Sequence, residues 1–95
     1  MRFEWDENKS QANRKKHGIS FEIAEAVFAD PLCLTIHDRT VQGEERMWTV
    51  GRLQNLVLVV VVHTTRDEEG EEVTRIISAR KATPRERRFY EEADT

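Results

Sequence analysis

Leu56-Val57-Leu58-Val59-Val60-Val61-Val62-His63 decides the fold of this chain. The first seven residues are apolar and most of them are β-branched. Such side chains are stiff at χ1 and suit a pleated strand better than a helix. A polar residue at every second position would mark a strand with one wet face. Its absence marks a central strand covered on both faces. Seven residues are too few to cross a bilayer, which takes about 20 in a helix. The chain is therefore organised around a buried strand.

The neighbours of this run supply the rest of a sheet. Upstream, Glu45 to Leu53 alternates, with Met47, Thr49 and Gly51 facing one way and Arg46, Trp48, Val50 and Arg52 the other. Gln54-Asn55 is a tight connection. Downstream, Asp67-Glu68-Glu69-Gly70-Glu71 reads as an acidic hairpin loop, with Gly70 available for positive φ. Val73 to Arg80 returns as the next strand. Leu32 to Ile36 forms another, followed by a turn at His37-Asp38-Arg39-Thr40, and Arg2 to Trp5 is a short first strand.

Three helices complete the pattern. Asp6 is a good N-cap and Gly18 a good terminator for a helix reaching about His17. Between Glu7 and Lys16 the only aliphatic residue of that helix is Ala12, so it is expected on the surface. Ser20 caps a second helix from Phe21 to about Ala29, stopped by Asp30-Pro31. Its Ile23/Val27 and Ala24/Phe28 pairs suit packing on a sheet. Thr83, Pro84 and Glu86 form a capping box that opens a last helix. The order β-α-α-β-β-β-β-α predicts an α+β fold: a small, mostly antiparallel sheet with two N-terminal helices and one C-terminal helix. Residues 1–95 are expected to form one domain, with fraying at Ala93-Asp94-Thr95.

Composition narrows the function. The net charge is −3 and the pI about 5.6, which argues against indiscriminate nucleic-acid binding by the whole surface but leaves room for a local basic site. Such a site is expected where Arg80, Lys81, Arg85, Arg87 and Arg88 crowd one strand–helix corner, beside amides that a helix N-terminus offers to an anion. Cys33 is the only cysteine and reads as a small core residue. With no internal disulfide and no signal peptide evident, a reducing cytoplasm is expected. There is no Cys/His zinc spacing, no Gly-rich phosphate loop and no HExxH, so neither a metal nor a cofactor is expected.

Phe3-Glu4-Trp5-Asp6-Glu7-Asn8-Lys9, Asn13, Lys16-His17-Gly18-Ile19-Ser20-Phe21, Glu45-Arg46, Gly51, and Ile77-Ser78-Ala79-Arg80-Lys81-Ala82-Thr83 with Glu86 and Tyr90 together resemble the BrnT family. No single motif carries the resemblance; the ordered set spans nearly the whole chain. It implies a type II toxin–antitoxin toxin with a RelE/ParE-like fold. It also implies a ribonuclease activity that blocks translation, and a BrnA-like antitoxin whose DNA-binding domain brings the pair to operator DNA. A second toxin copy within the complex and no membrane partner complete that expectation. Two other functions stay open on this fold: an antitoxin-binding and co-repressing module without catalysis, and a ParE-like toxin aimed at gyrase.

Cleaving RNA without metal needs a base, an acid, and cations for the charge that builds on phosphorus. Histidine is the usual proton carrier. His17, at the end of the first helix, and His63, closing the central strand, are the candidates, while His37 sits in the expected turn. The plainer role of His17 is to complement a helix dipole, and that of His63 is a strand-rim residue. Arg80 can fork a phosphate and Lys81 can add a point charge. Arg46, Trp48 and Arg52 form a stripe on which a base can stack, though cation–π packing or an antitoxin contact would use the same residues. Arg85 and Arg88 extend the basic corner. Tyr90 can stack or donate a proton, or simply pack beneath its helix.

Overall fold

The structure is a computed structural model and describes residues 1–93; the expected fraying of Asp94 and Thr95 falls outside them. Its centre is β4 (Leu58–Glu68), the middle strand of a five-stranded sheet. On one side β4 pairs antiparallel with β3 (Glu44–Arg52), which pairs antiparallel with β2 (Leu34–Val41). On the other it pairs antiparallel with β5 (Glu71–Lys81). The sheet ends at β1 (Arg2–Glu4), which runs parallel to β5.

The two faces of β4 bury different partners. Val59 and Val61 face a layer made by α1 (Glu7–His17), α2 (Phe21–Glu25) and a 3-10 turn (Ala26–Ala29). Phe21, Ala24, Val27, Ile76 and Ala79 close that core at or near zero exposure. Leu58 and Val60 face the opposite way, with Val50 and Tyr90 of α3 (Pro84–Ala93). Each fully buried Val or Phe stabilises the fold by roughly 1.5–3 kcal/mol. The uninterrupted valines follow from this double burial.

The first helix starts and stops as its sequence directs. Asp6 accepts from the backbone N–H of Asn8 at 2.8 Å and of Lys9 at 3.2 Å, and Gly18 closes the helix at φ +76°. Its docking is polar, although most of its residues face solvent. Asn13 Nδ2 donates to the carbonyls of Ile19 (2.7 Å) and Ala79 (2.8 Å), and Asn13 Oδ1 accepts from Ala79 N–H at 3.2 Å. The side-chain amide thus takes the place of a neighbouring strand beside β5, beyond the short reach of β1. Ser10 Oγ accepts the Phe21 amide at 2.9 Å and ties α1 to α2.

Several expectations are corrected. The sheet is mixed, not mostly antiparallel, because β1 joins β5 in parallel. The two expected N-terminal helices reduce to α1 and a five-residue α2, after which the chain tightens into the 3-10 turn. Tightening there brings Val27 against β3: a Cβ built on Gly51 would lie 2.7 Å from Val27 Cγ1. The expected turn at His37-Asp38-Arg39-Thr40 is part of β2, with a register shift between His37 and Arg39. The reversal comes later, at Gln42 (φ +51°) and Gly43 (φ +83°), which suit a two-residue hairpin turn.

Candidate functional site

α3 covers only one end of its sheet face. Register places Arg46, Trp48, Val50 and Arg52 of β3 on that face, opposite Thr64, Val62, Val60 and Leu58 of β4. Ser78 and Arg80 of β5 lie opposite Val62 and Val60. The covered end holds Val50, Leu58, Val60 and Tyr90. Val62, Thr64 and Ser78 floor the open half. Trp48 borders it, its ring 6.5 Å from that of Phe89, which is 42% exposed on α3.

Arg80 stands at the junction of the covered and open halves. Its Nη1 and Nη2 donate to the two carboxylate oxygens of Glu86 at 2.7 and 2.8 Å, and Nη1 also reaches Lys81 O at 3.4 Å. Glu86 accepts from Thr83 N–H at 2.9 Å as well, and Thr83 Oγ1 accepts from Glu86 N–H at 3.2 Å, which completes the capping box. The Arg80 guanidinium holds the Glu86 carboxyl down to about 2, and Arg80 in turn is raised. A guanidinium has five N–H donors. Three are engaged here, and the remaining two, on Nε and Nη2, meet no acceptor among the described residues. The residue meets its carboxylate through one fork.

Tyr90 and Arg52 occupy the foot of α3. The Tyr90 hydroxyl donates to Asp30 Oδ2 at 2.6 Å, and that oxygen also accepts from Arg52 N–H at 2.8 Å. The Arg52 guanidinium lies over the Tyr90 ring, 5.4 Å from its centroid. Burial pushes the Asp30 carboxyl up, but hydrogen bonds from Tyr90 and from the Arg52 and Leu32 amides outweigh it, so it titrates below its ordinary value. Tyr90 is 4% exposed and anchors the helix. Arg85 and Arg88 are exposed on α3, and Lys81 is exposed at the end of β5.

The histidines part company. His63 lies on the other sheet face, beside Ile76 in register and with its ring 5.0 Å from Phe28. Its Nε2 is 2.8 Å from Thr49 Oγ1, which is 2.7 Å from Thr35 Oγ1, while buried Nδ1 has no partner. Burial pushes this imidazole down to about 4. The sheet therefore separates His63 from Arg80. His17 is half-buried at the end of α1, one helical turn beyond Asn13, which grips Ala79 next to Arg80. Among the described residues no group of acidic, histidine and cysteine side chains can hold a metal ion.

Sequence reasoning named Arg46 but missed the residues around it. Lys9, Thr64, Arg75 and Ile77 line a small cleft with it, and Arg46 Nε is buried there with no partner. These residues come from four elements. The one local signal is the alternation that puts Arg46 on the face of Trp48. Asp30 was read only as a helix stop.

Residues 5–86 match the family described as the ribonuclease toxin BrnT of type II toxin–antitoxin systems. The chain is also similar to the ribonuclease toxin BrnT of Brucella abortus, known from a crystal structure. The two are 27% identical, with a TM-score of 0.59, over 87% of this chain and 97% of that one. No curated protein sequence matches. From the Trp5–Asp6 start of α1 to the Glu86 that caps α3, the matched segment takes in four of the five strands and the open face, and the chain belongs to the BrnT family of ribonuclease toxins of type II toxin–antitoxin systems.

Proposed function

We propose that this chain, acting as one toxin domain, is a metal-independent endoribonuclease that binds RNA along the open half of the α3 face and so stops translation. The observation that carries the reading is Arg80, a cation paired to Glu86 and placed by register beside the uncovered floor that Trp48 and Arg46 border. In metal-free cleavage the ribose 2′-oxygen attacks the neighbouring phosphorus. A P–O2′ bond forms and the P–O5′ bond breaks, leaving a 2′,3′-cyclic phosphate and a 5′-hydroxyl. One group takes the 2′-hydroxyl proton and another supplies the proton of the leaving oxygen.

Negative charge grows on the phosphorane oxygens, so fixed cations stabilise the transition state more than the ground state. Arg80 and Lys81 are assigned to that phosphate and His17 to proton transfer. His63 is given no part, since it is buried on the opposite face. Trp48 stacks a base, and Arg46, Arg85 and Arg88 steer the flanking strand, while Arg52 and Tyr90 hold α3 in place.

A type II toxin has a cognate antitoxin. The reading makes it BrnA-like, with a DNA-binding domain that carries the complex to operator DNA, and gives the complex two toxin copies. An acidic, apolar segment of that partner covers the Arg80 corner and Trp48. The setting is the cytoplasm; among the described residues no helix is long and apolar enough to cross a membrane.

The test is to incubate the pure chain with a defined RNA in EDTA. Cyclic-phosphate ends are expected, formed about 10- to 100-fold more slowly by Arg80→Ala, the loss of one charge-assisted phosphate contact. Cleavage that appears only on adding Mg²⁺ or Mn²⁺ refutes the metal-free mechanism, and full activity in Arg80→Ala removes that residue from the site.

A further inference from the structure

The cleft around Arg46 lies away from the Arg80 corner, and its make-up points to a distinct ligand group. It has a volume of about 230 Å³, and its lining includes Lys9 of α1, Glu44 and Arg46 of β3, Thr64 of β4, and Arg75 and Ile77 of β5. Three of these residues are cationic and one is a carboxylate. Arg75 already donates from Nη1 to Glu4 at 3.1 Å. Arg46 has no ion pair within reach among the described residues, and its Nε is shut off from solvent without an acceptor. A buried donor left unpaired is unfavourable. An anionic oxygen entering the cleft would meet the Lys9, Arg46 and Arg75 side chains that line it, three cations against the single carboxylate of Glu44.

Position says which anion. Thr64 is four residues along β4 from Val60, the register partner of Arg80. At about 3.3 Å per residue the cleft and Arg80 are roughly 13 Å apart. One phosphate cannot reach both. Between them lie Val62, Ser78 and Trp48, an uncharged floor with an aromatic ring at its side. Two cationic stations flanking a stacking platform match a single strand, with phosphates at the ends and a base between.

We propose that Lys9, Arg46 and Arg75 form a second phosphate site, which holds the RNA backbone at a position remote from the cut and sets the minimum length of a good substrate. The proposal rests on the RNA-cleaving reading above. Arg75 is fixed by Glu4 and serves as the wall; Arg46 and Lys9 are the recognising groups. Removing them should leave the fold intact, because Lys9 is exposed and Met keeps the apolar stem of the half-buried Arg46 while taking away its unpaired Nε.

The experiment compares the parent with Arg46→Met and Lys9→Met, using two probes. One is a 2′-O-methyl oligonucleotide of about ten residues, which cannot be cleaved; the other is a dinucleoside monophosphate, too short to span both stations. Each variant should bind the oligonucleotide about tenfold more weakly. Each should lower the slope of log affinity against log salt by about one. Turnover of the dinucleotide should not change in Lys9→Met, and Arg46→Lys should recover part of the oligonucleotide binding. Equal oligonucleotide affinity and salt slope in parent and variants overturns the second site while leaving the nuclease reading standing, and would leave the cleft to an acidic protein segment. A loss of dinucleotide turnover in Lys9→Met equal to its loss of binding overturns it too, by placing the cleft at the cut itself. A parent that binds no RNA overturns both readings together.

Discussion

Asn13→Leu should be among the most damaging single changes in this protein, although Asn13 sits in a helix with almost no apolar residues. The substitution keeps the approximate size of the side chain and removes all of its hydrogen bonding. Three backbone groups then lose their partner: the carbonyls of Ile19 and Ala79 and the N–H of Ala79. Ile19 is 5% exposed and Ala79 is fully buried, so water cannot readily replace the amide. Each orphaned group costs about 1–3 kcal/mol. Some relaxation of α1 reduces the sum, which we place at about 3–5 kcal/mol. That is a large share of the 5–15 kcal/mol typical of a whole domain.

At roughly 4–8 °C per kcal/mol for a chain of this size, the melting temperature should fall by about 15–30 °C. Urea unfolding followed by tryptophan fluorescence measures the loss. Asn13→Asp is a second probe, since it can accept from Ala79 N–H but cannot donate to either carbonyl, and it should be destabilised as well. Gln11→Ala is the control: its side chain reaches only the exposed Glu7, at 3.2 Å, and the change should cost less than about 0.5 kcal/mol. If Asn13→Leu costs no more than about 1 kcal/mol, then the side-chain amide is not what docks α1 on the edge of β5.

Gly51→Ala should cost about 1–3 kcal/mol, because the new Cβ would meet Val27 Cγ1 at 2.7 Å and Val27 O at 2.9 Å; an unchanged urea midpoint would refute that packing. Acid should weaken the fold over a defined window. Glu86 beside Arg80, and Glu4 beside Arg66 and then Arg75, are both held at about 2 against an ordinary 4.5. Carboxyls lowered in the fold contribute in full above pH 4.5, and the contribution falls away as pH drops toward 2. Urea midpoints from pH 5 to 2 should show this decline, with a shallower one in Glu86→Gln; a midpoint flat across the window would contradict both pairings. Antitoxin association should slow in high salt and in an Arg85→Ala/Arg88→Ala variant, with a smaller effect on dissociation, since exposed charges mainly speed encounter. Stopped-flow rates indifferent to both would put the antitoxin on another surface.

Local chemistry was legible wherever a residue answers to its own neighbours in sequence. Asp6 and Gly18 bracket α1, Thr83 and Glu86 close the capping box, and the valines of β4 announce burial on both faces. Helix caps and side-chain periodicity are interactions over a few residues, so a sequence displays them directly. The position of Arg80 near a strand end, three residues before a helix cap, was legible for the same reason.

Pairings between distant segments were decided by the tertiary structure. Nothing near Arg2–Glu4 specifies that this strand joins β5 in parallel, because its partner lies some seventy residues away. Turn-forming residues at 37–40 were overridden by cross-strand bonds to β3, and the reversal moved to Gln42-Gly43. His63 and Arg80 both lie at strand positions that look alike in sequence, yet Arg80 pairs with Val60, and alternation along β4 sets Val60 and His63 on opposite faces. The cleft of Lys9, Arg46, Thr64 and Arg75 belongs to no segment at all. Hydrogen-bonded register brings its three strands together and the docking of α1 adds Lys9, and register is a property of the folded sheet rather than of any one strand.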